Sequence, residues 1–134
     1  MSDENYHSSK VLPWSGQQED WPMWSTKFLM RGTAKGYGLI MEGVVKAPAF
    51  DEDIENMMDP DNPTRSATAE QKKAAKQLKQ LNMEGYMDLI MSMNDTKSFN
   101  LVKENKQDLY GACKALSNEF EPNTGDALVE LMEE

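Results

Sequence analysis

Leu78, Leu81, Gly85, Leu89 and Met93 recur at spacings of three and four, which makes the stretch from about Thr68 to Met93 one long amphipathic α-helix. Thr68 with Gln71 three residues later is a capping-box pattern and marks its start. Met83, Tyr86, Met87 and Ile90 widen the stripe, so the second half of this helix is expected to be buried nearly all round. No stretch shows convincing period-two alternation. The chain therefore reads as all-α, a compact bundle of five to seven helices.

A first helix is predicted to begin near Glu19–Trp21, with Pro22 in the first turn, where a missing N–H costs nothing. Trp21, Trp24 and Phe28 share one helical face, while Met23, Lys27 and Met30 lie on another. Gly32, Gly36 and Gly38 weaken its end, and Leu39-Ile40-Met41 forms a short apolar turn stopped by Gly43. Residues 43–66 contain Pro48, Pro60 and Pro63 and the acidic run Asp51 to Met58. They read as a long acidic loop holding one or two helical turns, expected to be the most mobile internal segment. Phe99, Leu101 and Val102 belong to a short helix. Gln107–Glu121 forms another, with Leu109, Ala112, Cys113, Leu116 and Phe120 on one face and Pro122-Asn123 ending it. Thr124 caps a last segment, Gly125–Glu134, with Leu128 and Leu131 inward. The chain stops inside a good helical pattern, which suggests an artificial or cleavage boundary. Residues 1–10 read as a flexible arm and 11–134 as one helical domain.

Composition removes several classes of function. The 134 residues carry 14 Lys and Arg against 23 Asp and Glu, a net charge of -9, which argues against a nucleic-acid binder in its own right. One cysteine and one histidine, Cys113 and His7, leave no intrachain disulfide, no cysteine-based zinc site and no histidine-rich metal site. The polar, acidic start MSDENYHSSK is neither a signal nor a transit peptide, and Ser2 excludes myristoylation. Without a secretory signal the Asn94-Asp95-Thr96 triplet is expected to stay unglycosylated. No apolar run approaches the roughly 18 residues of a membrane span, so no membrane partner is expected. These features describe a soluble, intracellular, non-redox domain.

Catalytic and cofactor signatures are equally thin. Gly36-Tyr37-Gly38 lacks the third glycine, the preceding strand and the lysine of a phosphate loop. Asp51, Asp53 and Glu55 take calcium-loop positions one, three and five, but Asn56 stands where glycine is needed and Asn62 where the bidentate glutamate is needed. No catalytic residue, metal ligand or cofactor is therefore assigned. Lys72, Lys73, Lys76 and Lys79 form the basic patch, to be read either as a solvated face or as a contact with an acidic neighbouring subunit or RNA. The aromatic stripe reads as core rather than a ligand cage. Met83, Met87, Met91 and Met93 are expected to fill the core, with Met57 and Met58 the better groove or contact candidates. Cys113 is expected to be an inert buried thiol.

The order of three blocks carries a resemblance. The first is Leu12-x-Trp14-x-Gly16, then Trp21-x-x-Trp24-x-x-x-Phe28, a glycine-rich stretch and Ile40-x-x-Gly43. The second is Tyr86-x-x-Leu89-Ile90-x-Ser92-Met93 with Phe99-x-x-Val102. The third is Ala112-x-x-x-Leu116-x-x-x-Phe120-Glu121-Pro122-x-Thr124 with Leu128-x-x-Leu131. Over roughly residues 11–134 this resembles the start of copia-type (Pseudoviridae) LTR-retrotransposon Gag polyproteins. The chain departs from the family in lacking the tryptophan often found near Cys113 or Ala115, and the zinc knuckle that many Gag proteins carry is absent.

The resemblance implies a retroviral-capsid-like N-terminal domain, with a second helical domain expected beyond Glu134. It makes Leu12, Trp14, Gly16, Trp21, Trp24, Phe28, Gly43, Leu89, Leu116, Phe120, Pro122 and Leu128 the family-signature core. The implied function is structural. Gag subunits would self-assemble into a cytoplasmic virus-like shell around RNA, which would be held mainly by downstream parts. By analogy with capsid folds, Lys27, Met30 and Arg31 on the outward face of the first helix would meet a neighbouring subunit. The alternative is a domesticated Gag-derived module that binds a host protein or peptide in an apolar groove.

Overall fold

A computed structural model describes residues 11–122. The expectations placed on residues 1–10, on Thr124 and on Leu128 and Leu131 lie outside the described residues. Within them are six α-helices and one small hairpin: α1 (Trp21–Lys35), α2 (Gly38–Met41), α3 (Asp51–Glu55), β1 (Met58–Asp59), β2 (Asn62–Ser66), α4 (Ala69–Ser92), α5 (Thr96–Glu104) and α6 (Leu109–Phe120). The domain is all-α apart from that hairpin.

The helix boundaries follow local chemistry. A 3-10 turn over Gln18–Asp20 leads into α1, whose first turn holds Pro22. At its other end Gly36 adopts φ 105°, and the amides of Gly36 and Tyr37 both donate to the Gly32 carbonyl at 2.8 and 2.9 Å. A side chain there would be strained, so glycine gives the helix its stop. Thr68 caps α4 with Gln71 in a complete capping box. Asp95 and Asp108 cap α5 and α6 through the amides of Ser98 and Gly111. Gln107, at φ 57°, turns the chain between those two helices, held by Asn82, whose Nδ2 donates to the Gln107 carbonyl at 2.6 Å.

Trp14 is the hub of the core. It is 1% exposed, its amide donates to the Ser92 carbonyl at 2.9 Å, and its indole N–H donates to Ser98 Oγ at 2.9 Å. Its ring lies 5.5, 5.3 and 5.1 Å from those of Trp21, Trp24 and Phe120. An extended N-terminal segment is thereby pinned between α1, the end of α4 and α6. Tyr37, Ile40, Tyr86, Leu89, Met93, Val102, Leu109, Ala112 and Leu116 complete the cluster. Gly85, inside α4, lets this happen, because a Cβ there would lie 2.7 Å from Tyr37 Cδ1 and against Leu109.

Two expectations need correction. Residues 43–66 hold the expected helical turn as α3, but they also form an antiparallel hairpin and are anchored by buried Ile54 and Asp59. All five residues of β2 are exposed and the pairing is irregular between Met58 and Asp59. A ribbon with no buried face leaves no period-two pattern to read. The second half of α4 is not buried all round either. Met87 and Met91 are 50% and 61% exposed, Met83 is half-buried and only Met93 is in the core. Methionine looks the same to a hydropathy count on either face.

Candidate functional site

Three surface regions carry the side chains singled out in the sequence. The first is the seam between α1 and α4. Arg31 and Lys35, one turn apart on α1, both face Asp88 of α4. Lys35 Nζ donates to Asp88 Oδ2 at 2.8 Å and Tyr37 Oη donates to the same oxygen at 2.7 Å. Arg31 Nε is buried 3.6 Å from that oxygen, so its contact is electrostatic rather than a hydrogen bond. Burial, and then the Asp88 carboxylate, push the Tyr37 phenol far above its ordinary value and keep it a neutral donor. Arg31 is therefore half-buried and engaged within the chain, whereas Lys27 and Met30 are exposed.

Helical geometry fixes what flanks this seam. On α4, Gly85, Leu89 and Ser92 beside Asp88 are buried, while Glu84, Met87 and Met91 are exposed. On α1, Phe28 and Gly32 are buried, while Met23, Lys27, Met30 and Ala34 are exposed. Met23 and Met30, at 67% and 66% exposure, thus stand on the outward side of α1, and Met87 and Met91 on the outward side of α4. Methionine adapts to irregular partners better than other apolar residues.

The second region is the basic patch. Lys79 Nζ is 2.9 Å from Asp51 Oδ1, and that contact holds the Asp51 carboxyl below its usual range. The hollow between α3 and α4 is lined by Lys72, Lys73 and Lys76 and by Asp51, Ile54 and Glu55. The acidic neighbour of these lysines is a helix of the same chain. Beside it, Asp59 is 1% exposed and accepts from Gln71 Nε2 at 2.9 Å, the Asp61 amide at 2.9 Å and Arg65 Nε at 2.8 Å. Gln71 also closes the capping box, its Oε1 accepting from the Thr68 amide at 2.8 Å. One side chain thus joins the start of α4 to the hairpin.

The third region is a groove of about 430 Å³ between α1 and α6. Trp21, Trp24, Phe28, Leu89 and Leu116 form its floor, and Leu29, Met41, Tyr110 and Cys113 its walls. Ser25, Thr26, Glu42, Lys114, Ser117 and Glu121 supply its polar lining. Glu121 Oε2 accepts from the indole N–H of Trp21 at 2.7 Å. Burial, and then the Asp108 charge, push the Cys113 thiol up to about 12, so it is not a reactive thiolate.

Of the family-signature residues, Trp14, Trp21, Trp24, Phe28, Leu89, Leu116 and Phe120 meet in one buried cluster, with Leu12 packed against it. Gly16 and Gly43 sit in turns at φ 80° and 76°, Pro122 is exposed, and Leu128 lies outside the described residues. Met58 is exposed on β1 and Met57 half-buried beside it. Asp59, Asn82, Asp88 and Tyr110 carried no sequence signal. Asn82 and Asp88 act through partners distant in the chain, and Asp59 and Asp88 are single acids among 23. Among the described residues no group of three or more His, Cys, Asp or Glu could hold a metal ion, and no helix is long and apolar enough to cross a membrane. The chain matches no family model, and no curated protein and no solved structure matches it.

Proposed function

We propose that this chain is a structural assembly domain of the copia-type Gag class, the N-terminal part of a capsid protein that builds a shell around RNA in the cytoplasm. The observation that carries the reading is the set of exposed methionines, Met23 and Met30 on α1 and Met87 and Met91 on α4, on two helices joined by the Arg31–Asp88–Lys35 seam; we take them together as one methionine face. The seam ties the two helices together, so in this reading their exposed methionines offer one surface to a neighbouring subunit. Lys27 lies on the same surface and suits an acidic neighbour, which another copy of a chain with net charge -9 would supply. The convergence of residues from all three sequence blocks on one core supports the same reading. Electron microscopy of the chain, concentrated at raised salt, tests it. Regular rings, sheets or shells are expected, and Met30→Glu should abolish them. Amorphous precipitate, or regular particles indifferent to that substitution, would count against it.

The groove between α1 and α6 favours a second reading, a Gag-derived module that takes an apolar peptide. A long-lived one-to-one complex with a helical peptide, and no regular particles under any condition, would select it.

A further inference from the structure

On α1 and α4 every exposed large apolar side chain is a methionine: Met23 and Met30 on the first, Met87 and Met91 on the second. The large apolar side chains that these two helices bury are Trp21, Trp24, Phe28, Tyr86 and Leu89, with no methionine among them. Sulfur is thus sorted to the outside of both helices. Met93, just past the end of α4, is 7% exposed and belongs to the core. A permanent apolar contact could be built from leucine, which favours a helix at least as well. Methionine adds a sulfur whose apolar character can be withdrawn and restored, because the sulfoxide is polar and is enzymatically reducible.

We propose that Met23, Met30, Met87 and Met91 are oxidation sites through which a hydroperoxide disperses the contact between copies of this chain. The inference rests on the assembly reading of the methionine face. In the reaction the thioether sulfur attacks one oxygen of hydrogen peroxide. An S–O bond forms and the O–O bond breaks. The departing hydroxide takes the proton of the transferred hydroxyl and leaves as water. Sulfur is oxidised by two electrons and the peroxide is reduced by the same two.

The fold is expected to survive this change, because none of the four side chains belongs to the buried cluster or packs against it. Cys113 does not compete for the oxidant. It is half-buried, and burial with the Asp108 charge keeps its thiol protonated, whereas the thiolate is the reactive form. A contact that buries the four sulfurs shields them, so the oxidant takes the free chain and draws assembled copies apart by mass action.

Sedimentation velocity at raised salt reads association of the full chain before and after dilute hydrogen peroxide, quenched with catalase, and peptide mass mapping locates the added oxygens. They should appear on Met23, Met30, Met87 and Met91, and on exposed Met58 of the hairpin, ahead of Met93, with helical circular dichroism unchanged. The association constant should fall about tenfold or more, as for one apolar side chain withdrawn from a contact. The chain carrying Met23→Leu, Met30→Leu, Met87→Leu and Met91→Leu should associate equally with and without peroxide, although its Met58 still oxidises. Treating the oxidised native chain with the two methionine sulfoxide reductases should restore association, and that recovery decides the matter if the leucine variant does not associate on its own. An oxidised chain that associates as the untreated one does, or a leucine variant that peroxide still disperses, overturns the proposal and leaves assembly standing. Loss of the helical signal on oxidation also overturns it, because the core would then be the target. An untreated chain that stays monomeric at every concentration overturns the assembly reading itself, and this inference with it.

Discussion

Trp24 stacks on Phe28 with ring centroids 5.0 Å apart and planes 14° apart, while its indole N–H donates to the Leu12 carbonyl at 3.0 Å. This pair ties α1 to the N-terminal segment and, through Trp14, to α5 and α6. Trp24→Ala should cost about 3–5 kcal/mol, the usual range for an aromatic lost from a core. That is a large part of the ~5–15 kcal/mol expected of a domain. Thermal melting checks this. An unchanged midpoint would mean that the ring does not hold the core and would revive a ligand-facing role.

Gly85→Ala should destabilise although alanine favours a helix over glycine by roughly 0.5–1 kcal/mol. The added methyl would meet Tyr37 and Leu109, both fully buried. Overpacking of this kind costs about 1–3 kcal/mol. Urea unfolding reads the difference, and a stabilised variant would show that Tyr37 can move aside.

The Asp59 carboxyl is held below its usual range, first by Gln71, then by the Asp61 amide and Arg65. Its folded pKa lies below its unfolded one, about 3.9. Its contribution is therefore present above pH ~4 and is lost as pH falls through the folded value. The gap in urea midpoint between the chain and Asp59→Asn should be widest at pH 7 and shrink toward pH 3. A gap that does not change with pH would remove Asp59 from this role. Gln71→Glu, conservative for a capping box, should also lower the pH 7 midpoint, because it replaces the Nε2 donor with a second carboxylate.

Much of the helical frame was legible in the sequence because its signals are local. Thr68 and Gln71 marked the start of α4, and the spacing of Trp21, Trp24 and Phe28 identified the inward face of α1. The departures have a common cause. Met87 and Met91 extended an apolar stripe without facing the core, since hydropathy does not say which way a methionine points. The hairpin joining Met58 to Ser66 has no buried face and leaves no alternation. The links made by Asp88, Asp59 and Asn82 depend on groups brought together only by folding. The groove is the least legible part, since Tyr110 and Met41 line it from elements whose packing no spacing records.

The basic patch should bind RNA weakly. Lys79 is engaged by Asp51, and Lys72, Lys73 and Lys76 share their hollow with Asp51 and Glu55. Anisotropy with a fluorescent single-stranded RNA at physiological salt should give a Kd of ~10⁻⁴ M or weaker, the non-specific range. Sub-micromolar binding with a steep salt slope, lost when the four lysines are neutralised, would place RNA packaging on this domain.

Self-association through the methionine face is the most direct consequence of the account. Capsid contacts can be individually weak because each subunit touches several neighbours. The charge of -9 adds repulsion between copies, which salt screens beyond ~8 Å at physiological strength. Sedimentation velocity over a concentration and salt series measures both effects together. The chain should be monomeric when dilute and should associate progressively as concentration and salt rise, whereas Met30→Glu with Met91→Glu should stay monomeric throughout. A tight, salt-independent dimer at micromolar concentration, or association that the double substitution leaves untouched, would contradict the assignment of this face to assembly.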